Sequence, residues 1–293
     1  MFFGTPEISA QVLTALLGAG IDVVAVVTNP DKRRGRGGKT EASPVKKIAL
    51  DHAVRVIESP AGAVEFLEVL GTEGITGVVV AYGRIIREPL LSMIPLVNLH
   101  FSLLPRWRGA APVERAILAG DARTGSSIMQ IEEGLDTGAV YDVESVDIDQ
   151  AETLEQLRAR LGVIGAGQIL SMLREGFPEP RAQVGEPVHA DKITPGELLV
   201  DWSRSAVDIV RTVRIGGAHG FFRGSRVKFV EATAGGGGGT PGTVVSTARD
   251  VVVAAGNGAV HLVRVQPEGK KIMSAKDWAN GVGPLVGEAF GSH

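Results

Sequence analysis

The chain has 293 residues, of which 44% are hydrophobic and 22% charged, with a formal net charge of −3 and no cysteine. This length and composition predict a soluble globular protein of two domains or one large domain, and the missing cysteines exclude disulfides, thiolate nucleophiles and cysteine-ligated metal sites. The scattered histidines, the short apolar runs and the absence of a secretory leader predict no metal, no membrane span and a cytoplasmic location.

Strands and helices alternate along the first hundred residues. The predicted strands are Phe2–Phe3, Ile21–Val27, Val54–Ile57, Gly77–Ala81 and Leu96–His100, and the predicted helices are Glu7–Leu17, Pro44–His52, Ala63–Leu70 and Pro89–Met93. Thr5 is expected to cap the first helix, and Pro6 to occupy its first turn. This alternation is typical of βαβ units in an open, doubly wound α/β sheet, whose functional loops lie at the carboxyl ends of the strands.

A basic loop interrupts the alternation between Asp31 and Lys39. It holds five Lys and Arg residues with three glycines among them, a composition that does not pack into a core. One interpretation is a loop that contacts phosphates. The alternative is a solvated surface loop, which is what a run of charges usually is.

Two polar residues, Asn98 and His100, stand at the end of an apolar strand. They are two positions apart, so they project from the same face of the strand. An amide can donate a hydrogen bond to a developing oxyanion, and an imidazole can move a proton near neutral pH. For the pair alone, a core histidine with an amide neighbour is the alternative interpretation.

A carboxylate, Asp136, lies between glycines in the segment Gly134–Gly138. Such a residue is more often a turn former than a catalyst. Beside Asn98 and His100, however, a carboxylate can hold the tautomer of the imidazole or take a proton through water.

The pattern changes after residue 180. Arg181–Pro195 is rich in Pro, Gly and polar residues and is interpreted as a linker. The segments that follow are a helix over Ser203–Arg214 and strands over Val227–Glu231, Gly242–Ser246, Asp250–Ala255 and Ala259–Val265, which together predict a small β-barrel. Residues 1–200 carry 19 Lys and Arg against 26 Asp and Glu, and residues 201–293 carry 11 against 7. This asymmetry suggests different partners for two domains, or else a chance difference between two ordinary surfaces.

The motifs as a set resemble those of the folate-dependent formyltransferases. They are Gly4-Thr5-Pro6-Glu7, Ala81-Tyr82-Gly83, Asn98-Leu99-His100, the run from Ser102 to Pro112, and Gly134–Gly138. The closing stretch Gln266–Met273 and the basic loop ahead of Ser43 are more particular to the branch of the family that formylates methionyl-tRNA. The resemblance covers nearly the whole chain, in the expected order.

This resemblance implies a Rossmann-like, mostly parallel sheet followed by an OB-fold-like barrel. It implies a catalytic domain over residues 1–185, a linker over 186–202 and a tRNA-binding domain over 203–293. The implied donor is 10-formyltetrahydrofolate, and the implied acceptor is the α-amine of methionyl-initiator-tRNA, which becomes N-formylmethionyl-tRNA for translation initiation. A monomer without a metal is expected.

The resemblance also implies roles for individual residues. Asn98 and His100 match residues that stabilise the formyl oxygen, and Asp136 matches the residue that orients the histidine and helps to remove the amine proton. The residues implied for folate are Tyr82, Gly83, Ile85, Ile86, Ser102, Leu103, Leu104 and Pro105. The residues implied for tRNA are Arg33, Arg34, Arg36, Lys39, Lys270 and Lys271.

Three other functions stay open at this point. A sibling enzyme could formylate the amine of a sugar nucleotide or a purine precursor, although the basic loop and basic barrel favour a polyanionic substrate. A hydrolase of formyl-folate would need the same three residues, with water in place of the amine. A catalytically silent RNA-binding module is the third alternative, and the presence of Asn98, His100 and Asp136 argues against it.

Overall fold

The computed structural model of the chain describes residues 1–34, 39–248 and 250–291, and at Lys32–Arg34 and Lys39 it describes the backbone alone. The chain forms two compact units. The first comprises Met1–Val113, Arg123–Asp147 and Gln156–Asp191, and the second comprises Glu114–Ala122, Ile148–Glu155 and Lys192–His293. Two short segments of the front part of the chain therefore belong to the second unit.

Among the described residues, seven strands form the main sheet of the first unit. The strands up to residue 190 are β1 (Phe2–Gly4), β2 (Val26–Val27), β3 (Lys32–Arg34), β4 (Lys39–Glu41), β5 (Val56–Ile57), β6 (Gly77–Val80), β7 (Leu96–His100), β8 (Arg108–Gly109), β9 (Arg123–Gln130), β10 (Val140–Asp147) and β11 (His189–Ala190). The sheet order is β10-β9-β7-β6-β1-β2-β5. The five strands β7, β6, β1, β2 and β5 run parallel to one another. Strands β9 and β10 form an antiparallel hairpin at one edge, next to β7. The predicted mostly parallel, Rossmann-like sheet is confirmed.

Helices connect these strands. They are α1 (Glu7–Gly18), α2 (Pro44–Asp51), α3 (Pro60–Leu70), α4 (Leu90–Met93), α5 (Pro112–Ala119) and α6 (Leu154–Glu175). Ser43 and Ser59 cap α2 and α3, because each hydroxyl accepts a backbone N–H of the first turn. Phe3, Val27 and Val79 lie in the apolar core between the sheet and its helices.

Two local expectations are wrong. Only Val26 and Val27 of the predicted strand Ile21–Val27 are in the sheet, because β1 and β5 offer partners only to these two residues. Thr5 does not cap α1, whose N-cap is Pro6 without a side-chain hydrogen bond. The Thr5 hydroxyl bonds instead to neighbouring loops.

The second unit is built on a curled antiparallel sheet. Its elements are a 3-10 turn (Pro195–Leu198), α7 (Ala206–Arg214), β12 (His219–Phe222), β13 (Ser225–Gly235), β14 (Val244–Ser246), β15 (Val251–Ala254), β16 (Ala259–Pro267), β17 (Met273–Ser274), α8 (Ala275–Val282) and β18 (Phe290–Gly291). The strand order is β14-β15-β16-β13-β12-β18, with β17 on β16. An antiparallel bridge pairs Thr243, the residue before β14, with Ala289, the residue before β18. The chain next to one end strand of the order is thus paired with the chain next to the other end strand. The OB-fold-like class predicted for this part is confirmed.

Aromatic side chains fill the centre of this curled sheet. Phe290 lies 5.1 Å from Phe222, 5.4 Å from Phe229 and 5.6 Å from Trp202, measured between ring centroids. Edge-to-face and tilted pairs at these distances add specific attraction to the burial of apolar area. Trp278 on α8 closes the same cluster from the side, 5.3 Å from Phe222.

Residues 186–202, predicted as a linker, hold ordered contacts within each unit. His189 and Ala190 form β11, which pairs in parallel with Arg108 and Gly109 of β8. Further on, Trp202 is buried in the aromatic core of the second unit. In the described ranges of the chain, no helix has both the length and the apolar character needed to cross a membrane.

Candidate active site

The order of the main sheet changes direction between β1 and β6. From β1 the chain continues to β2 and β5 on one side, and it then returns to place β6 and β7 on the other side. In open α/β sheets, ligands bind beyond the carboxyl ends of the strands at such a point. Tyr82 and Gly83, both predicted to bind folate, follow β6 and therefore lie at this point.

A hydrogen-bond network joins the loops that follow β1, β2 and β6. Asn29 donates from Nδ2 to the Thr5 hydroxyl at 3.0 Å and to the Tyr82 carbonyl at 2.9 Å. The Thr5 hydroxyl donates to the same carbonyl at 3.3 Å. Thr5 and Asn29 thus fix the backbone of Tyr82, a role that the sequence patterns did not indicate.

The structure brings Asn98, His100 and Asp136 together. Asn98 and His100 lie on one face of β7 at its carboxyl end, and Asp136 approaches from the loop between β9 and β10. Asp136 Oδ1 is 3.5 Å from Asn98 Nδ2, and Asp136 Oδ2 is 3.6 Å from His100 Nδ1. The side chains of His100 and Asp136 are only 5% and 11% exposed, so water screens their interaction weakly.

The hydrogen bond of the other ring nitrogen, Nε2, identifies the tautomer of His100. His100 Nε2 lies 2.8 Å from the Trp107 carbonyl oxygen. Because a carbonyl only accepts, Nε2 carries a proton and Nδ1 of the neutral ring is left with its lone pair facing Asp136. A proton that arrives at Nδ1 therefore creates an imidazolium beside a carboxylate.

Asp136 is held by backbone groups as well as by its neighbours. The Gly109 N–H donates to Asp136 Oδ2 at 2.8 Å. The backbone of Asp136 has a φ of 53°, in the left-handed region that is unfavourable for most side chains. A Cβ at Gly138 would clash with the Gln130 carbonyl, so glycine is required where this loop returns to the sheet. The loop conformation is therefore imposed by its surroundings.

The turn Ser102–Pro105, predicted to line the folate cleft, is tied to β9. Ser127 donates from Oγ to the Ser102 carbonyl at 2.7 Å and accepts the Leu104 N–H at 3.3 Å. The Ser102 hydroxyl in turn donates to the Arg106 carbonyl at 2.6 Å. Ser127 pairs with His100 in the sheet, so it connects this turn directly to the strand that carries the imidazole.

An open groove of about 450 Å³ lies beside the β6 loop. It is lined by Ile85, Ile86, Arg87, Glu88, Leu91 and Glu133. Ile85 is 67% exposed and offers an apolar wall, whereas Ile86 packs mainly into the core. Tyr82 is also buried, packing edge-on against Phe3, and this burial raises the pKa of its phenol. The ring of Tyr82 therefore lies in the core, and only its backbone is left for contact with a ligand at this point.

The basic loop is described in part. Arg36 lies outside the described residues. Arg33 and Arg34 on β3 and Lys39 on β4 are described as backbone, in an antiparallel pair that matches Arg34 with Lys39. The hydroxyls of Thr28 and Ser43, both buried, meet at 2.9 Å at the base of the loop. The loop thus begins and ends on a fixed stem.

Cations line one region of the second unit. Lys228 on β13 stands in register between His219 on β12 and Gln266 on β16, and Arg226 stands opposite Phe221. The predicted tRNA contacts Lys270 and Lys271 are exposed in the turn that links β16 to β17. Within the part of the chain that the structure describes, none of the four cations Arg226, Lys228, Lys270 and Lys271 forms an ion pair.

In the described ranges, no three or more His, Asp or Glu side chains are grouped so that they could hold a metal ion. The functional side chains found at the carboxyl edge of the sheet are instead an amide, an imidazole and a carboxylate. Their arrangement suits acyl transfer by hydrogen bonding and proton transfer.

Both units match models of known families. Residues 1–171 match the family described as formyl transferase, and residues 192–283 match its C-terminal domain. Two curated relatives are named methionyl-tRNA formyltransferase. The one from Magnetococcus marinus is 42% identical over 99% of this chain and 97% of its own. The one from Symbiobacterium thermophilum is also 42% identical, over 99% of this chain and 94% of its own.

Solved structures show the same fold at lower identity. A crystal structure of WlaRD, a sugar 3N-formyl transferase in the presence of dTDP and 5-N-formyl-THF, aligns with 92% of this chain and 97% of its own at a TM-score of 0.65 and 17% identity. HypX from Aquifex aeolicus in complex with tetrahydrofolic acid aligns with 95% of this chain and 46% of its own at a TM-score of 0.62 and 17% identity. A methionyl-tRNA formyltransferase from Clostridium thermocellum aligns with 64% of this chain and 86% of its own, at 0.52 and 20%.

Proposed function

The chain belongs to the formyl transferase family, and we propose that it transfers the formyl group of 10-formyltetrahydrofolate to the α-amine of methionyl-initiator-tRNA. The product is N-formylmethionyl-tRNA, with which translation begins. The observation that carries this proposal is the grouping of Asn98, His100 and Asp136 at the carboxyl edge of the sheet, in a chain 42% identical along its length to methionyl-tRNA formyltransferases.

The acceptor amine attacks only when it is neutral. α-Amines titrate at about 7.7–8.0, so a useful fraction is neutral at physiological pH. During attack, negative charge develops on the formyl oxygen. Asn98 donates from Nδ2 to this oxygen, and His100 stabilises it once the ring is protonated. Both side chains project from β7 and are fixed by the sheet, so little reorganisation is needed when charge appears.

Asp136 accepts the proton that the acceptor amine loses. As the amine forms its new bond to carbon, it must lose a proton. Asp136 accepts this proton directly or through water and passes it to the folate nitrogen as the bond from that nitrogen to the formyl carbon breaks. While it is ionised, Asp136 also stabilises a protonated His100 across the 3.6 Å gap. The Gly109 N–H keeps one carboxylate oxygen in place for this purpose. Bond formation to nitrogen and cleavage of the bond to the folate nitrogen leave the formyl carbon at the same oxidation level.

We assign the folate to the groove beside the β6 loop. Its volume of about 450 Å³ falls in the usual range for small-molecule sites, and apolar walls from Ile85 and Leu91 suit a flat ring system. The turn Ser102–Pro105, held by Ser127, supplies further backbone groups for polar contacts. When bound, the folate supplies an activated formyl group. The chain supplies orientation and charge stabilisation.

The charged elements supply affinity for tRNA. Arg226, Lys228, Lys270 and Lys271 lie on or beside neighbouring strands of the barrel and are not neutralised by ion pairs within the described part of the chain. Such cations bind phosphates and release counterions, which makes binding sensitive to salt. Phe221 and His219, in edge contact at 6.1 Å, add aromatic surface beside these cations. The basic loop with Arg33, Arg34, Arg36 and Lys39 approaches the acceptor end of the tRNA.

The experiment is formyl transfer from 10-formyltetrahydrofolate to initiator methionyl-tRNA, with free methionine in a parallel reaction. We expect rapid formylation of the tRNA and none of free methionine. Folate turnover without formylated tRNA would favour a hydrolase or a sibling transferase that acts on a smaller amine. Tight tRNA binding without any folate turnover would favour a silent RNA-binding module.

Two further properties belong to this proposal. The enzyme acts as a monomer, because one chain already carries a complete set of the three catalytic candidates and the cationic barrel face. The reaction takes place in the cytoplasm, where charged tRNA and ribosomes meet. Light scattering of the purified chain measures the first property, and a dimer mass would contradict it.

A further inference from the structure

One amide side chain, Gln183, joins two segments that meet at the candidate active site. Its Nε2 donates to the carbonyl of Asp136 and to the carbonyl of Gly138, both at 2.9 Å. Its Oε1 accepts two hydrogen bonds from Arg108, at 3.0 Å from Nε and 2.7 Å from Nη2. Four hydrogen bonds thus converge on a single side chain in Arg181–Pro195, the segment that the sequence pattern indicated as a linker.

Arg108 determines how the amide is oriented. A guanidinium only donates, so the group that faces Arg108 is the amide oxygen. The NH₂ group therefore faces Asp136 and Gly138, whose carbonyl oxygens only accept. No other orientation of the amide satisfies all four contacts. The side chain is in this sense a clamp with one defined direction.

The clamp binds a segment whose backbone conformation is unfavourable. Asp136 adopts φ 53°, which is unfavourable for a non-glycine residue and persists only where the surroundings impose it. The two carbonyls that Gln183 binds are that of Asp136 itself and that of Gly138, two residues further along the main chain. The Gly109 N–H, adjacent to Arg108, restrains the Asp136 carboxylate. Gln183, which Arg108 orients, therefore holds the main chain of Asp136, and Gly109, the residue after Arg108, holds its side chain.

We propose that Gln183, oriented by Arg108, is a positioning residue for formyl transfer that keeps the Asp136 carboxylate beside His100. The inference rests on the role proposed above for Asp136. Gln183 touches no reacting atom, and its effect passes through the placement of the carboxylate. A displacement of about 1 Å at a reacting group can cost on the order of 10²-fold in rate. The effect of losing the clamp therefore falls on turnover rather than on substrate binding.

The test uses two substitutions of similar size. Gln183→Glu keeps acceptors for Arg108 but has no donor for the two carbonyls, and Gln183→Met removes the donors without adding charge. We expect kcat to fall about 10- to 100-fold in both variants, with KM for folate and for methionyl-tRNA changed less than about threefold. Gln11→Glu is the matched control, because Gln11 also donates to a backbone carbonyl of the first unit but lies on an exposed surface far along the chain from the site. This control is expected to retain the parent kcat.

A double variant separates positioning from a general loss of structure. If Gln183 acts through Asp136, adding Gln183→Met to Asp136→Asn lowers kcat by less than about threefold beyond Asp136→Asn alone. A multiplicative loss, or a kcat loss in the Gln183 variants that follows a lower melting temperature, would overturn the inference. So would an unchanged kcat in both single variants. An inactive parent chain would instead refute the proposed function, so the two failures are distinguishable.

Discussion

The candidate site of the first unit and the cationic face of the second unit depend on different kinds of interaction. The cationic face is the group of Arg226, Lys228, Lys270 and Lys271. Of the five described non-glycine residues with positive φ, three lie in the loops around the site: Ala81, Trp107 and Asp136. Each stands next to a group with a proposed role: Tyr82 follows Ala81, and the Trp107 carbonyl accepts from His100. Backbone of this kind is kept only when many contacts agree on one conformation.

The cationic face does not depend on an imposed backbone conformation. Lys228 and Arg226 lie on a long strand, β13, and Lys270 and Lys271 lie in a turn. Such side chains reach phosphates over a range of positions, and their contributions add up as charges. Catalysis by the first unit therefore depends on the positions of a few atoms, whereas tRNA affinity of the second unit depends on the number of cations. Three predictions test this difference and a fourth concerns stability, in order of decreasing effect.

The largest effect is expected at Asn98. Asn98→Ala removes a donor to the formyl oxygen, and the loss of one such donor typically costs about 10²–10³-fold in turnover. The dissociation constant for tRNA should not change, because the amide takes no part in phosphate contacts. Single-turnover formylation and filter binding measure the two quantities. Asn280→Ala, at an exposed position on α8, is the control and should leave both unchanged.

The second effect concerns the loop network at the switch point. Thr5→Val keeps the shape of the side chain but removes the hydroxyl that Asn29 and the Tyr82 carbonyl share. A partly buried donor is left without its partner, at a cost of about 1–2 kcal/mol, so we expect KM for the folate to rise on the order of tenfold. Thr5→Ser retains the hydroxyl and should behave like the parent. Equal KM values for Thr5→Val and Thr5→Ser would show that the network does not shape the folate site.

The third effect is a change in salt dependence. Lys228→Ala removes one proposed phosphate contact, so the slope of log K against log salt for tRNA should become shallower by about 0.7–0.9. Turnover at saturating tRNA should stay at the parent value. Arg223→Met is the control, because Arg223 is already engaged by Glu288 and two backbone carbonyls. A lower turnover at saturating tRNA in Lys228→Ala would break the separation between chemistry and affinity.

The smallest effect is on stability. Hydrogen bonds from Arg115 and Thr194 lower the pKa of Glu197 from 4.5 to about 2. Because the folded pKa is depressed, the contribution of Glu197 is present above its unfolded pKa and is lost as pH falls from about 4.5 towards 2. Urea unfolding should therefore show Glu197→Gln less stable than the parent at pH 7, by a small margin expected of a partly exposed pair. A margin that does not shrink at pH 3 would contradict this assignment.

Alternation along the chain was sufficient to predict the parallel part of the sheet. Apolar segments such as Gly77–Val80 and Leu96–His100 are buried on both faces, and this burial is what a short apolar run indicates. The same alternation placed Asn98 and His100 on one face, where the structure also has them. No bounds were predicted for strand β9, because its buried positions include Thr124, Ser126 and Ser127. Ser126 and Ser127 are satisfied by hydrogen bonds to residues distant in sequence.

Long-range contacts also explain what the sequence could not show at the site. Gln183 lies 45 and 47 residues from the carbonyls it binds, and 75 residues from Arg108. Its neighbours in sequence are Pro, Gly and polar residues without periodicity, which is typical of a linker. Thr5 was expected to cap a helix, a local use of its hydroxyl. A distant partner, Tyr82, competes successfully for that hydroxyl.

The separation of chemistry from affinity is tested most directly by one comparison at His100. Formylation of initiator methionyl-tRNA by His100→Ala should be followed under single turnover, with enzyme in excess and tRNA fully bound. The account predicts a rate at least about 10²-fold below the parent with an unchanged tRNA dissociation constant. A His100→Ala variant that formylates at the parent rate would contradict the assignment of the site itself.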